Sequence, residues 1–244
     1  MTIATAAARL RSLHVKGSPL ILPNAWDAAS AGAVEQAGFP VVATGSAAVA
    51  AVLGYEDGER TPPGEMFAAI ARIARAVGVP VTADVERGYG LKPAELAERL
   101  AESGAVGCNL EDSRDGVLID PEEQADFLAA VKAAAGDDLV VNARVDTYVA
   151  GDGSTADALR RGRRYLEAGA DCVYPIGVAD AEEIRTLAAE LPINVYFRPG
   201  VPSLSELAAL GVARVSYGHG LHRAAHAYAT SLFVAVAEGR DPYQ

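Results

Sequence analysis

The chain has 244 residues, of which half are hydrophobic and 22% are charged; this argues against disorder and for a sizeable buried core. Its net charge of −11 argues against nucleic acid or an anionic membrane as a partner. Its two cysteines, Cys108 and Cys172, lie in apolar runs, which predicts reduced core thiols of a cytosolic protein rather than a zinc site or a disulfide framework.

The first predicted element is an amphipathic helix at about residues 2–16. It lacks the charged head and apolar segment of a signal peptide. The longest weakly polar run, 39–54, is too short and too rich in small residues to cross a bilayer. Because we find no low-complexity linker and no block of like charge, residues 1–244 are predicted to form one domain, located in the cytoplasm.

Eight short apolar runs follow, separated by segments with the character of helices. Each run is apolar on both faces, as expected for a strand that is buried on both sides. The segments between them begin with N-cap residues, prolines or acidic first turns, as in "DPEEQADFLAAVKAAAG" at 120–136. The predicted strands are 20–26, 40–46, 79–86, 105–112, 138–146, 171–177, 192–197 and 213–218.

Strict alternation of strand and helix predicts a parallel sheet with right-handed crossovers. Eight such units in about 250 residues match the size of a (β/α)8 barrel. The alternative is a doubly wound open sheet, which usually carries a glycine-rich turn after its first strand. The corresponding turn here, "LPNAWDAAS" at 22–30, has no such glycines. We therefore predict an α/β fold, a single-domain (β/α)8 TIM barrel.

In such a barrel the active site lies at the carboxyl ends of the strands. Asp84 and Glu86 stand two residues apart there and are expected to share a face. The polar residues predicted at these strand ends are Asn24, Asp27, Thr44, Gly45, Ser46, Asp84, Glu86, Asn109, Glu111, Asp112, Asn142, Arg144, Asp146, Asn194, Arg198 and His219.

Asp84, Glu86 and Glu111 would crowd three carboxylates into one mouth of the barrel. Two unit charges about 6 Å apart repel each other by roughly 3 kcal/mol at an effective dielectric constant near 20. Protonation of one carboxyl group, neutralisation by Arg144, or a bound divalent cation would each relieve this repulsion. Oxygen ligands without a cluster of His or Cys residues favour Mg²⁺ or Mn²⁺.

Structural explanations remain open for several of these residues. Asp112, and above all Asp146, fit the role of helix caps or salt-bridge partners. Arg144, inside an apolar strand, is either a structural partner of the acids or an anchor for an anionic substrate. Ser46 beside a glycine is also typical of a tight turn, and His219 is also typical of a cap or packing residue before the last helix.

Several motifs together resemble the isocitrate lyase / phosphoenolpyruvate mutase superfamily. They are "LPNAWDAASA", "AGFPVVATGSAA", "LGYED", "VTADVERGYG", "CNLED" and "NARVDTYVAG", and the resemblance runs in order from about Leu20 to Gly218. It implies a (β/α)8 barrel that makes or breaks C–C or P–C bonds of small 2-oxo or 2-hydroxy acids through a Mg²⁺-stabilised enolate of the pyruvate type. It also implies a homo-oligomer, either a dimer or a tetramer.

The resemblance implies a metal site and a substrate site. By motif position Asp84 would bind Mg²⁺ directly, whereas Glu86, Glu111 and Asp57 would hold the waters of the metal. Gly45 and Ser46 would donate hydrogen bonds to a small carboxylate substrate, and Arg144 would pair with its carboxylate. Asn194 and His219 are further candidates for substrate binding. The predicted catalytic residues are Arg144, Glu111 and Tyr89, and the candidates for returning a proton to the enolate are Tyr89, Tyr55, His219 and water.

One region departs from the family pattern. Isocitrate and methylisocitrate lyases carry a Lys-Lys/Arg-Cys-Gly-His loop after the Glu-Asp of the fourth strand, but here that region reads "EDSRDGVLIDPEEQ". We therefore predict a Mg²⁺-dependent lyase or decarboxylase of a small 2-oxo or 2-hydroxy (di)carboxylic acid. The alternatives are hydrolysis of the P–C bond of a phosphonopyruvate-type substrate, and a barrel that binds carboxylates with little or no turnover.

Overall fold

The computed structural model describes residues 1–243 and shows strands that alternate with helices. The strands are β1 (Leu20–Leu22), β2 (Asn24–Ala25), β3 (Val42–Thr44), β4 (Val81–Asp84), β5 (Gly107–Glu111), β6 (Ser113–Arg114), β7 (Val117–Leu118), β8 (Val140–Val145), β9 (Cys172–Pro175), β10 (Asn194–Tyr196) and β11 (Arg214–Ser216). The helices are α1 (Ile3–Ser12), α2 (Ala28–Gln36), α3 (Ser46–Leu53), α4 (Pro63–Ala76), α5 (Pro93–Ser103), α6 (Pro121–Ala135), α7 (Thr147–Ala150), α8 (Thr155–Glu167), α9 (Ala181–Glu190), α10 (Leu204–Ala209) and α11 (Gly220–Ala237).

Parallel pairing runs around a ring of strands. One sheet has the order β2-β3-β4-β5-β8-β9 and another has the order β1-β11-β10. Strands β1 and β2 are two parts of one strand, divided at Pro23, which has no backbone N–H for the ladder. A parallel bridge between Val173 and Ile193 joins the other ends of the two sheets. The pairing therefore returns to its first strand, and the predicted barrel fold is confirmed.

Each of the eight predicted strands occurs inside its predicted range. The N-terminal helix ends at Ser12 rather than near residue 16, because the next backbone N–H groups, of His14 and Val15, turn back to the carbonyls of Arg11 and Leu13. The structure adds helix α3, the short hairpin β6–β7 and the short helix α7 to the predicted elements. Within residues 1–243, no helix is both long enough and apolar enough to cross a bilayer.

The core has two apolar parts with a polar layer above the smaller one. The larger part packs the outer helices against the strands, with residues such as Ile70, Leu100 and Val141. The smaller part closes the amino-terminal end of the barrel, where helix α1 inserts Ala7 and Leu10. Above this floor, buried polar side chains occupy the interior of the barrel. The open, carboxyl end of the strands is left for the candidate site.

Candidate active site

Neighbouring strands deliver the charged side chains of the site at the same level. Strand β4 ends at Asp84, which pairs in register with Asn109 of β5. Strand β5 ends at Glu111, which pairs in register with Arg144 of β8. Because side chains alternate along a strand, these register partners point into the barrel mouth together.

Asp84 is held through one carboxylate oxygen. Its Oδ2 accepts hydrogen bonds from the backbone nitrogen of Ser46 at 3.0 Å and from the Ser46 hydroxyl at 2.9 Å. Ser46 is the first residue of helix α3, so the helix dipole also favours a negative charge at this position. The backbone nitrogen of Asp84 donates to the Thr44 hydroxyl at 3.0 Å. The other oxygen, Oδ1, is buried and has no hydrogen-bond partner.

Glu86 is buried just beyond the end of β4, in a left-handed backbone conformation with a φ of 49°. Its Oε2 accepts a hydrogen bond from the backbone nitrogen of Glu59 at 2.6 Å, and its Oε1 accepts one from the Tyr89 hydroxyl at 2.8 Å. Burial raises the pKa of Glu86 to about 7, the Tyr89 hydrogen bond opposes this rise, and the charges of Asp57 and Asp84 add to it.

Arg144 is the central cation of the site. It forms an ion pair with Glu111, and it holds Asp146 through Nε at 2.6 Å and Nη2 at 3.0 Å. Burial raises the pKa of Glu111 to about 8, Arg144 opposes this rise, and the charges of Asp146, Asp84 and Glu86 add to it. A guanidinium group carries five N–H donors. With three bonds made to these carboxylates, Arg144 keeps donors for an anionic ligand.

A buried network of hydrogen bonds and ion pairs supports Asp146, the partner of Arg144. Asp146 accepts a hydrogen bond from the Ser113 hydroxyl at 2.5 Å, and its backbone nitrogen donates to Asp112 at 2.8 Å. Asp112 in turn accepts from Tyr165 at 2.7 Å and from Arg161 of helix α8 at 3.0 Å. The interpretation of Asp112 and Asp146 as salt-bridge partners is confirmed by these contacts.

Two neighbouring pockets lie at this end of the barrel. The inner pocket, called the inner cleft below, has a volume of about 170 Å³. The outer pocket has a volume of about 750 Å³. Both include Asp57 and Arg144 in their walls. The inner cleft is also lined by Asn24, Gly45, Ser46, Ala47, Asp84, Asn109, Tyr174, Ile176, Tyr196, Ser216, Gly218 and His219.

The acids fit a cation that keeps part of its water shell. Within residues 1–243, no three His, Cys, Asp or Glu side chains are grouped closely enough to hold one metal ion. Asp57, Asp84, Glu86 and Glu111 therefore do not form a complete protein cage. Mg²⁺ usually takes only one or two carboxylates and several waters. The buried, unpartnered Oδ1 of Asp84 is the kind of oxygen that such an ion would take up.

The structure brings most of the predicted site residues together. Gly45, Ser46, Asp84 and His219 line the inner cleft, and Glu86 and Glu111 line the outer pocket. Asp84 and Glu86 therefore do not share a face as expected, because strand β4 ends at Asp84 and its alternation ends there too.

Three predicted residues lie elsewhere. Tyr89, predicted to be catalytic, lines neither pocket, and its hydroxyl is taken by Glu86. Tyr55, a candidate proton donor, donates its hydroxyl to Glu65 at 2.7 Å. Asn194, a substrate-binding candidate, is the first residue of β10 rather than the last, so it is fully buried below the cleft and donates to the Ser216 hydroxyl at 3.0 Å.

Sequence reasoning missed three polar residues of the inner cleft, Tyr174, Tyr196 and Ser216. Each lies at or next to the carboxyl end of a predicted strand. They would have been found by applying the alternation of side chains to strands β9, β10 and β11, since each stands two residues beyond an inward-facing position. Asn24 and Asn109 were placed correctly at the mouth but received no role.

The chain is similar to known proteins over most of its length. The family model described as phosphoenolpyruvate phosphomutase matches residues 10–237. An uncharacterized protein of Mycobacterium tuberculosis (strain H37Rv) is 38% identical over 223 residues, which cover 88% of this chain and 85% of that protein. Oxaloacetate decarboxylase 1 of Pseudomonas putida (strain W619) is 30% identical over 231 residues, which cover 88% of this chain and 79% of that enzyme.

Two solved structures extend the comparison. The crystal structure of a candidate phosphonomutase from Burkholderia cenocepacia J2315 has a TM-score of 0.88 and 42% identity, and covers 93% of this chain and 98% of that one. A phosphonopyruvate hydrolase in complex with oxalate and Mg²⁺ has a TM-score of 0.84 and 26% identity, and covers 98% of this chain and 89% of that one.

Proposed function

The chain belongs to the phosphoenolpyruvate mutase family of the isocitrate lyase / phosphoenolpyruvate mutase superfamily, and from this premise we propose that it is a Mg²⁺-dependent lyase or decarboxylase of a small 2-oxo or 2-hydroxy dicarboxylic acid. One observation carries the proposal. Asp84 presents a buried, unpartnered carboxylate oxygen in a small cleft that Arg144 also lines.

The volume of the inner cleft supports a small substrate. At about 170 Å³ it is smaller than the roughly 300–1,000 Å³ of pockets that hold drug-sized ligands, which favours a ligand of only a few heavy atoms. This is the size of a pyruvate or oxalate unit. The group that leaves a larger acid would lie in the outer pocket, which shares Asp57 and Arg144 with the cleft.

Arg144 would bind the carboxylate next to the 2-oxo group. Glu111 and Asp146 fix its guanidinium plane from two sides, so little side-chain entropy remains to be lost when a substrate binds. Pairing between arginine and a carboxylate is often bidentate, which orients the substrate as well as attracting it. The network of Asp112 and Arg161 keeps this arrangement rigid.

Asp84 would hold the cation directly, and Asp57, Glu86 and Glu111 would hold its waters. When bound, the ion supplies Lewis-acid stabilisation of the negative charge that develops on the 2-oxo oxygen as the bond breaks. Ser46 orients Asp84 for this role through its two hydrogen bonds. Electrostatic stabilisation of this kind carries a large part of the rate in many enzymes.

Decarboxylation needs the fewest additional groups. The C–C bond breaks, its electron pair stays on the enolate, and carbon dioxide leaves without a general base. A proton must then reach the enolate carbon from a group that faces the cleft. His219, Tyr174 and Tyr196 face the cleft, whereas Tyr89 and Tyr55 do not. Solvent entering through the outer pocket is the remaining source.

A substrate panel tests the proposal. Purified protein is incubated with 2-oxo and 2-hydroxy dicarboxylates, oxaloacetate among them, and pyruvate release is measured with Mg²⁺ and with EDTA. We expect release that EDTA abolishes and that is lost in Asp84→Ala and Arg144→Ala. Phosphonopyruvate in the same panel, with phosphate as the readout, detects the P–C hydrolase. Oxalate binding with no product from any compound would instead favour a carboxylate-binding barrel.

We also propose that the chain forms a homo-oligomer. Helix α11 exposes large apolar side chains, with Tyr228 exposed by 68% and Phe233 by 71%. Exposed apolar patches of this kind mark interaction surfaces. Light scattering should therefore give a dimer or a tetramer for the native chain and a smaller species for Phe233→Glu. A monomeric native chain at micromolar concentration would contradict this proposal.

A further inference from the structure

The interior of the barrel below the inner cleft is polar. Barrel interiors are usually filled by bulky branched apolar residues. Here the strands place Thr82, Asn142, Asn194 and Arg214 there, all of them buried. Thr82 Oγ1, Asn142 Oδ1, Asn194 Oδ1, and Nε and Nη1 of Arg214 have no hydrogen-bond partner in the chain. This layer separates the apolar floor from the cleft.

Arg214 is the most costly member of this layer. Its side chain is 1% exposed, and no carboxylate in residues 1–243 forms an ion pair with it. Burial lowers its pKa, but an arginine stays charged in proteins. Taking an unpaired charge out of water costs several kcal/mol, even after the protein relaxes. A contribution to stability therefore does not explain why an arginine is buried here. The hydrogen bond made by the one side-chain nitrogen of Arg214 that has a partner offers an explanation.

That nitrogen, Nη2 of Arg214, donates to Oδ1 of Asn109 at 3.3 Å. The same oxygen accepts a second hydrogen bond from Nδ2 of Asn142 at 2.8 Å. Two donors, one of them charged, therefore fix which end of the Asn109 amide faces down. A flipped amide would place its NH2 group against the guanidinium and lose both bonds.

The fixed amide directs its donor into the cleft. Asn109 is 8% exposed, lines the inner cleft, and pairs in register with Asp84. Its Nδ2 makes no hydrogen bond within the chain, in contrast to Asn24, whose amide bonds Thr44 and Tyr217. The wall of the cleft thus presents an N–H donor next to Asp84.

We propose that Asn109 is a substrate-binding residue, which donates its Nδ2 hydrogen to an oxygen of the bound 2-oxo acid, and that Arg214 is a positioning residue that fixes the Asn109 amide in the donating orientation. This inference rests on the proposed function, because it takes the ligand to be a small carboxylate. It assigns a purpose to a buried cation that lies outside the carboxylate cluster.

A double-mutant cycle on oxalate binding tests the inference, with Asn109→Leu, Arg214→Gln and the double variant. The dissociation constant of oxalate at saturating Mg²⁺ is measured by calorimetry, and kcat and KM are measured where a substrate is known. We expect each single variant to weaken oxalate binding about tenfold or more, and the double variant to be no weaker than Asn109→Leu, because coupled residues are not additive. Arg214→Lys should restore part of the binding.

Additive effects in the cycle, or native affinity in Asn109→Leu, would overturn the inference. Gln124→Leu is the control, since it removes another buried amide, which bonds Arg87 and lies away from the cleft; it should bind oxalate normally. If Arg214→Gln does not fold, Asn109→Asp takes its place, because it keeps an acceptor for Arg214 but has no donor. Native oxalate affinity in a folded Asn109→Asp would also overturn the inference.

This design separates the two proposals, since oxalate binding requires no turnover. Tight binding to the native chain with unchanged binding to the variants rejects the role of Asn109 and leaves the lyase proposal intact. Absence of any Mg²⁺-dependent oxalate binding to the native chain rejects both.

Discussion

Ser46 donates two hydrogen bonds to the same oxygen of Asp84, one from its backbone nitrogen at 3.0 Å and one from its hydroxyl at 2.9 Å. The helix that follows strand β3 thus begins on the carboxylate that ends strand β4. The second oxygen of Asp84 is buried without a partner. Leaving a buried polar group unpaired costs on the order of 1–3 kcal/mol, and more for a charged one. Binding of a cation to this oxygen would offset that cost.

Asp84→Asn should therefore keep the fold but abolish the dependence of activity and of melting temperature on Mg²⁺. The amide oxygen can still accept both bonds from Ser46, but the charge that holds the cation is gone. We expect kcat/KM to fall about 100-fold or more, in the range seen when one electrostatic contact to a developing charge is removed. The rise in melting temperature with Mg²⁺ and oxalate should also disappear in differential scanning fluorimetry.

The matched control is Asp120→Asn, which removes one negative charge from the N-cap of helix α6. Asparagine caps helices about as well as aspartate, so this variant should keep both the activity and the Mg²⁺ effect. A native response to Mg²⁺ in Asp84→Asn would show that the cation does not bind at this carboxylate.

Tyr89→Phe distinguishes a supporting role from a catalytic one. The Tyr89 hydroxyl bonds Glu86 and does not reach either pocket, so its loss should cost about 1 kcal/mol of stability and less than about threefold in kcat. A proton donor would instead contribute roughly 100- to 10,000-fold, so a loss of that size would restore Tyr89 to the catalytic residues. Tyr55→Phe, which removes an exposed hydrogen bond to Glu65, is the control and should change neither quantity.

The sequence was sufficient to predict the fold because its signal is repeated. Each of the eight apolar runs is ambiguous alone, but strict alternation with capped helices leaves few arrangements of the chain. The break at Pro23 and the hairpin at Asp115-Gly116 were not predicted. Both are local backbone events, and Asp-Gly between short strands is in fact a recognised hairpin signal.

The candidate site was predicted only as far as the strand alternation extends. Asp84 ends β4 and faces the cleft as expected, but Glu86 lies past that end with a positive φ, so it turns to the outer pocket. Asn194 begins its strand, which puts it one layer too low. Deciding these cases requires the exact ends of the strands, and those depend on tertiary hydrogen bonds that a single sequence does not display.

His14 should make the protein less stable as the pH falls from about 6.5 toward 4. Burial and the nearby charge of Arg214 lower its pKa from 6.5 to about 4, so the unfolded chain binds a proton in this range that the folded chain does not. The stability due to this residue is present above pH 6.5 and decreases by at most about 1.4 kcal/mol per pH unit below it. Glu86 and Glu111, whose pKa values are raised to about 7 and about 8, contribute a slope of the opposite sign over part of this range. The contribution of His14 is therefore read from the free energy of unfolding in urea at pH 7, 6 and 5 as the difference between the native chain and His14→Asn.

His14→Asn identifies the residue responsible for that slope. The Nδ1 of His14 lies 2.9 Å from the carbonyl of Leu10; an asparagine amide can make the same contact but cannot titrate. Relative to this variant, the native chain should lose stability as the pH falls from 6.5 to 5. Equal slopes in native protein and His14→Asn would refute the assignment.

Arg114 should contribute to substrate specificity by binding the distal carboxylate, the one farther from the 2-oxo group. It lies on the hairpin β6–β7, whose turn residues Asp115 and Gly116 have φ values of 49° and 76°. Its side chain is 62% exposed and lines the outer pocket, and its ion-pair partner is Glu123 at 3.8 Å. Arg114→Gln should raise KM for a dicarboxylate about tenfold with little change in kcat, since it removes binding away from the reacting bond.

Inhibition by oxalate, which fills only the inner cleft, should be unchanged in this variant. Arg99→Gln on helix α5 should have no effect, because its i,i+4 pair with Glu95 lies outside both pockets. An equal loss of oxalate and dicarboxylate affinity in Arg114→Gln would place the effect on the whole site rather than on the distal carboxylate.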